Sequence, residues 1–142
     1  MGIQELLSQY GDKYIQALFV TWKLTAVSFV LAFLIGILIT VMRVCPVKPL
    51  RWVGDFYVQI FRNIPGATLL IILVYALPYL NVVLSYYICV LTATSLLPAA
   101  FCSEYLMAGM NTVGVGQIEA ARALGMSFGK ILKNVVIPQA LR

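Results

Sequence analysis

Histidine is absent from this chain of 142 residues, and acidic side chains are few, with 5 aspartates and glutamates against 10 lysines and arginines. The lack of histidine removes the commonest general base and the commonest metal ligand. The five acidic residues lie on separate predicted elements, so no pair is placed for acid–base chemistry. They are Glu5, Asp12, Asp55, Glu104 and Glu119. We therefore expect no catalytic residue and no metal site.

Cysteine is also scarce. The three cysteines, Cys45, Cys89 and Cys102, show neither the spacing of metal ligands nor an even disulfide framework. The segment "GMSFGKI", Gly125 to Ile131, approximates a phosphate-binding loop, but it has three residues between its glycines where that loop needs four. Isoleucine also follows its lysine, where the loop needs serine or threonine. We expect this chain to bind no cofactor and to hydrolyse no ATP.

Apolar residues dominate the composition, because 62% of the residues are hydrophobic and only 11% are charged. This composition is typical of a protein in a bilayer. The basic residues punctuate apolar runs and are not gathered on a soluble face, which argues against nucleic-acid binding.

Long uncharged runs predict three membrane-spanning helices. Leu24 to Met42 is uncharged over 19 residues, and Asn63 to Ser103 over 41, which is enough for two spans if a turn divides them. "LPYLN", Leu77 to Asn81, supplies that turn, because proline stops a helix and asparagine tolerates turn geometry. The predicted spans cover about 14–42, 64–80 and 82–103, in one all-α membrane domain, and Pro98 should kink the third.

The distribution of lysine and arginine predicts the orientation. Eight of the ten basic residues fall on one side of a three-span topology, so the positive-inside rule places the amino terminus outside. Lys13 and Lys23 lie toward the other side. For the segment before the first span, an interfacial helix and a frayed tail remain equally open. The eight are Arg43, Lys48, Arg51, Arg62, Arg122, Lys130, Lys133 and Arg142.

A short helix is predicted inside the cytoplasmic segment 114–130. Gly116 can cap its start, Glu119 favours the positive end of its dipole, Arg122 falls in its last turn and Gly125 stops it. A helix of two turns is marginal alone in water, so it needs a docking surface and implies a cytoplasmic partner. The alternative is a plain surface turn between membrane helices.

Four stretches carry a resemblance to a known family. "EAARALG", followed nine residues after Gly125 by "VVIP", resembles the EAA loop of ABC importer permeases. "TWKLTAVSFVLAFLIG", "FRNIPGATLLIILVYALP" and "AAFCSEYLMAGMNTVGVGQIEAARALG" are similar to segments of the polar amino acid branch of that family. The resemblance covers about residues 18–142.

The resemblance implies the permease subunit of an ATP-driven amino acid importer in the bacterial inner membrane. Its partners would be ATPase subunits that hold ATP and Mg, a second permease subunit and an external binding protein. The EAA loop of such permeases forms a coupling helix that fits a groove on the ATPase. Carried over, the coupling residues would be Gly116, Gln117, Glu119, Ala120, Ala121, Gly125 and Pro138. The alternative is a membrane scaffold that recruits an ATPase-like partner without transport.

Two charged residues near the membrane are further candidates. Arg62 begins the second span and Glu104 nears the inner end of the third, so we expect them to pair and to brace the inner end of the pathway. The alternative is that Arg62 snorkels to lipid phosphates and Glu104 reaches water.

Family members have about five spans, two of them after the EAA loop, so the resemblance also implies a partial permease that ends before those two.

Overall fold

The computed structural model describes the backbone of residues 3–140 and the side chains of residues 8–140, and these described residues are helical with no strand. Arg142, one of the residues used to predict the orientation, lies outside them. The helices are α1 Ile3–Val44, α2 Lys48–Asn63, α3 Gly66–Ile71, α4 Tyr86–Asn111, α5 Val115–Ala123, α6 Phe128–Ile131 and α7 Ile137–Ala140.

Helix α1 is a single continuous helix of 42 residues. It covers the predicted first span and extends past it at both ends. Residues 3–13 continue this helix without a break, so they form neither a separate interfacial helix nor a frayed tail. The two alternatives drawn from its sequence were therefore both wrong.

Helices α1 and α4 run parallel and pack closely. Ser28 and Thr94 share a hydrogen bond of 2.7 Å between their hydroxyls, and Thr40 lies 3.1 Å from Ser103 further along both helices. Between these pairs, a Cβ built on Gly36 would lie 2.7 Å from the Cβ of Cys102. Glycine therefore permits a helix crossing that a larger residue would obstruct.

Helix α2 was not predicted from the sequence, where its residues were treated as a basic connection. Its amphipathic period is nevertheless visible, because Gly54 and Val58 are buried on one face. Pro49 lies in the first turn, where backbone N–H groups have no acceptor within the helix, so the lack of an N–H in proline breaks no helical hydrogen bond. At a break after Asn63 the chain bends by 97° into the run Gly66–Leu80.

The predicted turn between the second and third spans is confirmed. The run from Gly66 ends in a 3-10 turn, Leu77–Leu80, and Asn81 takes a left-handed conformation with φ 61°. Asparagine is among the few residues that adopt this conformation readily. Ser85 then caps α4, accepting a hydrogen bond of 3.4 Å from the N–H of Ile88. Helix α4 continues through Pro98, and the kink predicted there stays a prediction.

Two wide π turns, Ile72–Ala76 and Leu132–Val136, each end two residues before a proline. In each, the N–H of the residue before the proline donates a hydrogen bond to the carbonyl five residues earlier. Leu77 donates to the carbonyl of Ile72, and Ile137 donates to the carbonyl of Leu132. Proline lacks an N–H and its ring crowds the carbonyl four residues earlier. We attribute both π turns to this local conflict.

Within the described part of the chain, two helices are long and apolar enough to cross a membrane, Ser8–Val44 and Tyr86–Asn111, and the bent pair Lys48–Asn63 and Gly66–Leu80 would be a third if it forms one span. The ends of α1 and α4 converge with α5, and α1, α4 and the segment 132–140 line an open apolar pocket of about 310 Å³. This end of the bundle carries both groups of candidate functional residues.

Candidate functional site

Helix α5 is seated on the chain's own core by one face. Its buried residue Ala121 belongs to a hydrophobic cluster with Val113, Ile131 and Val136, and Ile118 packs against the same cluster. Ile118 and Ala121 are three residues apart and therefore lie on the same side of the helix. The docking surface that so short a helix needs is thus partly supplied by this chain.

The start of α5 differs from the prediction. Gly114 occupies the N-cap, with φ −59° and ψ 134°, whereas Gly116 was expected there. Gly116 instead lies within the first turn, and no atom lies within 4 Å of the position a Cβ would take. The prediction placed the start two residues too late because Glu119 was assumed to occupy the third helical position.

The end of α5 is fixed by Gly125. Its φ is +74°, a conformation that favours glycine. The N–H of Gly125 donates to the carbonyl of Arg122 at 2.9 Å, and the N–H of Met126 donates to the carbonyl of Ala121 at 3.2 Å. These two bonds form a Schellman motif, which ends the helix sharply. Arg122 lies in the last turn, as expected.

The outward face of α5 carries most of the predicted coupling residues. Gly116, Gln117, Glu119 and Ala120 are all exposed. Ala121 differs from its neighbours, because it is only 5% exposed and faces the core. It therefore holds the helix in place and offers no surface to a partner.

Apolar side chains are also exposed at the two ends of α5. Val115 is exposed in the first turn, and Leu124, directly after the helix, is 82% exposed. Both side chains are therefore accessible to a partner.

Pro138, the last predicted coupling residue, is exposed and lies away from α5. It belongs to α7, which follows the π turn Leu132–Val136. Two residues after Pro138, the carbonyl oxygen of Ala140 lies 3.0 Å from the position that a Cβ would take on Gly109 in α4. Residues 131–140 thus connect the cluster beneath α5 to α4.

The structure brings Arg62 and Glu104 together. Arg62 Nη1 lies 2.8 Å from Glu104 Oε2, and Arg62 donates this hydrogen bond. The contact joins the end of α2 to α4. Whether it braces a transport pathway stays a prediction.

Arg43 and Asp55 complete a charge cluster that sequence reasoning missed. Arg43 Nη1 lies 2.8 Å from Glu104 Oε1, and Arg43 Nε lies 2.8 Å from Asp55 Oδ1. Arg43 also donates to Ser103 Oγ at 3.2 Å. We call Arg43, Asp55, Arg62 and Glu104 the charge cluster. It joins α1, α2 and α4.

Helix α2 approaches α1 closely beside this cluster. A Cβ built on Gly54 would lie 2.7 Å from Cγ of Arg43 and 3.3 Å from the carbonyl oxygen of Ile39. On its other side, Tyr57 donates a hydrogen bond of 2.8 Å to the carbonyl of Leu96 in α4. The amphipathic period of α2 was the available signal, because Asp55 and Arg62, seven residues apart, lie on the same face of the helix, two turns from each other.

Comparison with known proteins gives one family. Residues 32–142 match the family described as "Binding-protein-dependent transport system inner membrane component". The chain is 34% identical over 129 residues to the arginine transport system permease protein ArtQ of Bacillus subtilis, covering 90% of this chain and 59% of that protein. It is 33% identical over 135 residues to the probable glutamine ABC transporter permease protein GlnM of Bacillus subtilis, covering 95% and 61%.

A solved structure has the same fold. The crystal structure described as "an amino acid ABC transporter with histidines" matches with a TM-score of 0.88 at 28% identity, covering 99% of this chain and 65% of that chain. The chain thus spans about three fifths of the length of the curated relatives named above, which it covers by 59% and 61%.

Proposed function

Because this chain belongs to the family of binding-protein-dependent transport system inner membrane components, we propose that it is the membrane-spanning permease subunit of an ATP-driven amino acid importer. Similar proteins are described as permeases for arginine, glutamine and glutamate. Family membership supports a location in the inner membrane, and its ABC transporter partners are part of the proposal. The proposed partners are ATPase subunits carrying ATP and Mg, a second permease subunit and an external amino-acid-binding protein.

One observation carries the coupling role of α5. Its inner face is buried on this chain's core through Ala121, while its outer face exposes Gln117, Glu119 and Ala120. A helix held on one side and open on the other can be pushed by a partner without detaching. Small side chains on the open face let a groove of the ATPase approach the helix closely.

The ends of α5 favour movement as one body. The Schellman motif at Gly125 ends the helix with two backbone hydrogen bonds, so the last turn is held without a side-chain partner. A push on Leu124 or Glu119 would therefore displace the whole helix. Bistable packing of such an element can convert a small shift into a larger change.

Contacts behind α5 provide a route to the membrane helices. Ala121 packs with Ile131 and Val136, and the π turn Leu132–Val136 continues into α7. Helix α7 meets α4 where Ala140 approaches Gly109. Displacement of α5 would thus reach α4 through contiguous packed segments, with the π turn as the least regular part of the route.

We extend to the whole charge cluster the bracing role that the sequence predicted for Arg62 and Glu104 alone. Arg43 contacts both Asp55 and Glu104, so α2 is tied to α1 and α4 at one end of the bundle. Helices tied in this way would shift together when α4 is displaced. Bracing of the inner end of the pathway is therefore proposed for all four residues.

The test is solute-stimulated ATP hydrolysis in liposomes, with the chain coexpressed with a matching ATPase and binding protein. Leu124→Glu places a charge on the proposed contact and should abolish stimulation. Val83→Glu is the matched control, because Val83 is also exposed, at 79%, but lies in the connection at the other end of the bundle. Stimulation that survives Leu124→Glu would contradict the coupling role. ATPase binding without stimulation in the parent protein would favour the scaffold alternative.

A further inference from the structure

Helix α2 has an apolar surface wider than the part that packs on its neighbours. Gly54 and Val58 are buried against the other helices. On another side of the helix, Trp52 is 80% exposed and Phe56 is 61% exposed. These two are four residues apart and therefore neighbours on the helix surface. A surface of aromatic residues this exposed requires a covering.

The direction of α2 restricts what can cover it. The run Gly66–Leu80 follows α2 at an angle of 97° and forms a hairpin with α4. Spanning helices tilt on average by about 20° from the bilayer normal. With this run along the normal, α2 lies nearly in the plane of the membrane, at the level where α1 ends.

Charges on α2 fit a phospholipid headgroup. Lys48 and Arg51, in its first turn, are exposed at the same end as Trp52. Arg51 donates to the carbonyl of Cys45 at 3.1 Å, and this bond uses one of its five N–H groups. The carboxylate of Asp55, on the same helix, is paired with Arg43. The first turn of α2 thus presents two cations to phosphate.

The neighbouring apolar surface continues to this level. Leu38 is 59% exposed and Leu34 is 57% exposed in α1, about two to three turns before its end. Side chains of this kind on a spanning helix face acyl chains. The lipid that contacts them would have its headgroup near Lys48 and Arg51.

We propose that α2 is an interfacial helix that binds anionic phospholipid in the leaflet on the α5 side. Trp52 and Phe56 insert at the boundary between headgroups and acyl chains, where tryptophan is favoured, and Lys48 and Arg51 contact the phosphates. The charge cluster then ties this lipid-bound helix to α1 and α4. This inference does not depend on coupling through α5.

The first test uses tryptophan fluorescence of the whole chain, which has two tryptophans, Trp22 and Trp52. Trp22→Phe leaves Trp52 as the only one, and Trp22→Tyr serves the same purpose if the first variant folds poorly. The protein is reconstituted in phosphatidylethanolamine–phosphatidylglycerol vesicles with bromine near the headgroup end or near the methyl end of the acyl chains. We expect shallow bromine to remove most of the Trp52 emission, deep bromine less, and aqueous iodide little.

Three results would overturn the proposal. Quenching by iodide alone would place Trp52 in water. Stronger quenching by deep than by shallow bromine would place α2 across the bilayer. Protection from all quenchers would mean that protein, such as a second copy of the chain, covers this face. Trp52→Phe, which leaves Trp22 on α1, reports the quenching of a residue on a spanning helix for comparison.

The second test concerns lipid charge. In the Trp22→Phe background, which also carries each pair of charge variants, shallow-brominated phosphatidylglycerol should quench Trp52 several-fold more than shallow-brominated phosphatidylcholine at the same fraction. Lys48→Gln with Arg51→Gln should abolish this preference. Lys130→Gln with Lys133→Gln, which removes the same charge elsewhere, should retain it. Loss of the preference in the control pair, or its survival in the Lys48 and Arg51 pair, would overturn the role of these two cations.

Discussion

Arg43 is the residue whose replacement should destabilise the fold most among the charge cluster. It is 14% exposed on its side chain and contacts the carboxylates of Asp55 and Glu104, each at 2.8 Å. Arg62 is 47% exposed and has only its contact with Glu104 among the ion pairs of residues 8–140. Arg43→Met therefore leaves two partly buried carboxylates without their shared cation, whereas Arg62→Met leaves Glu104 still paired.

The magnitudes follow from this difference in exposure. An exposed pair contributes about 0 to 1 kcal/mol, so Arg62→Met should cost no more than about 1 kcal/mol. Breaking a fully buried pair costs about 3 to 5 kcal/mol. Asp55 and Glu104 keep 45% and 32% exposure, which reduces the penalty. We expect Arg43→Met to lower the free energy of unfolding by about 2 kcal/mol, between these two limits.

The assay is reversible unfolding in mixed micelles, followed by circular dichroism, with the two methionine variants compared directly. Asp55→Asn provides the control through a double-mutant cycle, because it should cost less in the Arg43→Met background than in the parent protein. Equal losses for Arg43→Met and Arg62→Met would refute the assignment of Arg43 as the centre of the cluster. Additive effects of Arg43→Met and Asp55→Asn would refute their pairing.

Three further predictions concern single positions. Exchanging the charges of Arg62 and Glu104 should fail to restore solute-stimulated ATP hydrolysis, since an arginine at 104 would face Arg43; full restoration would contradict the 2.8 Å contact of Arg43. Gly36→Leu should lower the free energy of unfolding by about 1 to 3 kcal/mol, because a Cβ there would lie 2.7 Å from that of Cys102. The check is the same unfolding assay, and an unchanged value would contradict the close crossing. Gly125→Ala should cost about 1 to 2 kcal/mol of local stability at φ +74°, measured as faster amide exchange in α5 and contradicted by unchanged exchange.

Elements with strong local signals could be predicted from the sequence. The uncharged runs indicated α1 and α4, and "LPYLN" indicated the turn at Asn81, because proline and asparagine act through their own backbone preferences. Gly125 was likewise assigned as the stop of α5 for a local reason. These features could be predicted because each depends on residues that are close together in the sequence.

Features that depend on tertiary packing could not be predicted in the same way. The pairing of Arg43 with Glu104 requires knowing that α1 and α4 are parallel and in register, and 61 residues separate the two. The inward position of Ala121 depends on the cluster with Ile131 and Val136. Helix α2 was a different failure, since its amphipathic period was present and was overlooked in favour of its basic residues.

The most direct test of the account is photocrosslinking from α5 to the ATPase. A photoreactive residue replaces Glu119 on the exposed face or Ala121 on the buried face, in membranes that contain the coexpressed ATPase and binding protein. The account predicts a covalent adduct with the ATPase from position 119 and none from position 121. Absence of an adduct from 119, or an adduct with the external binding protein, would contradict it.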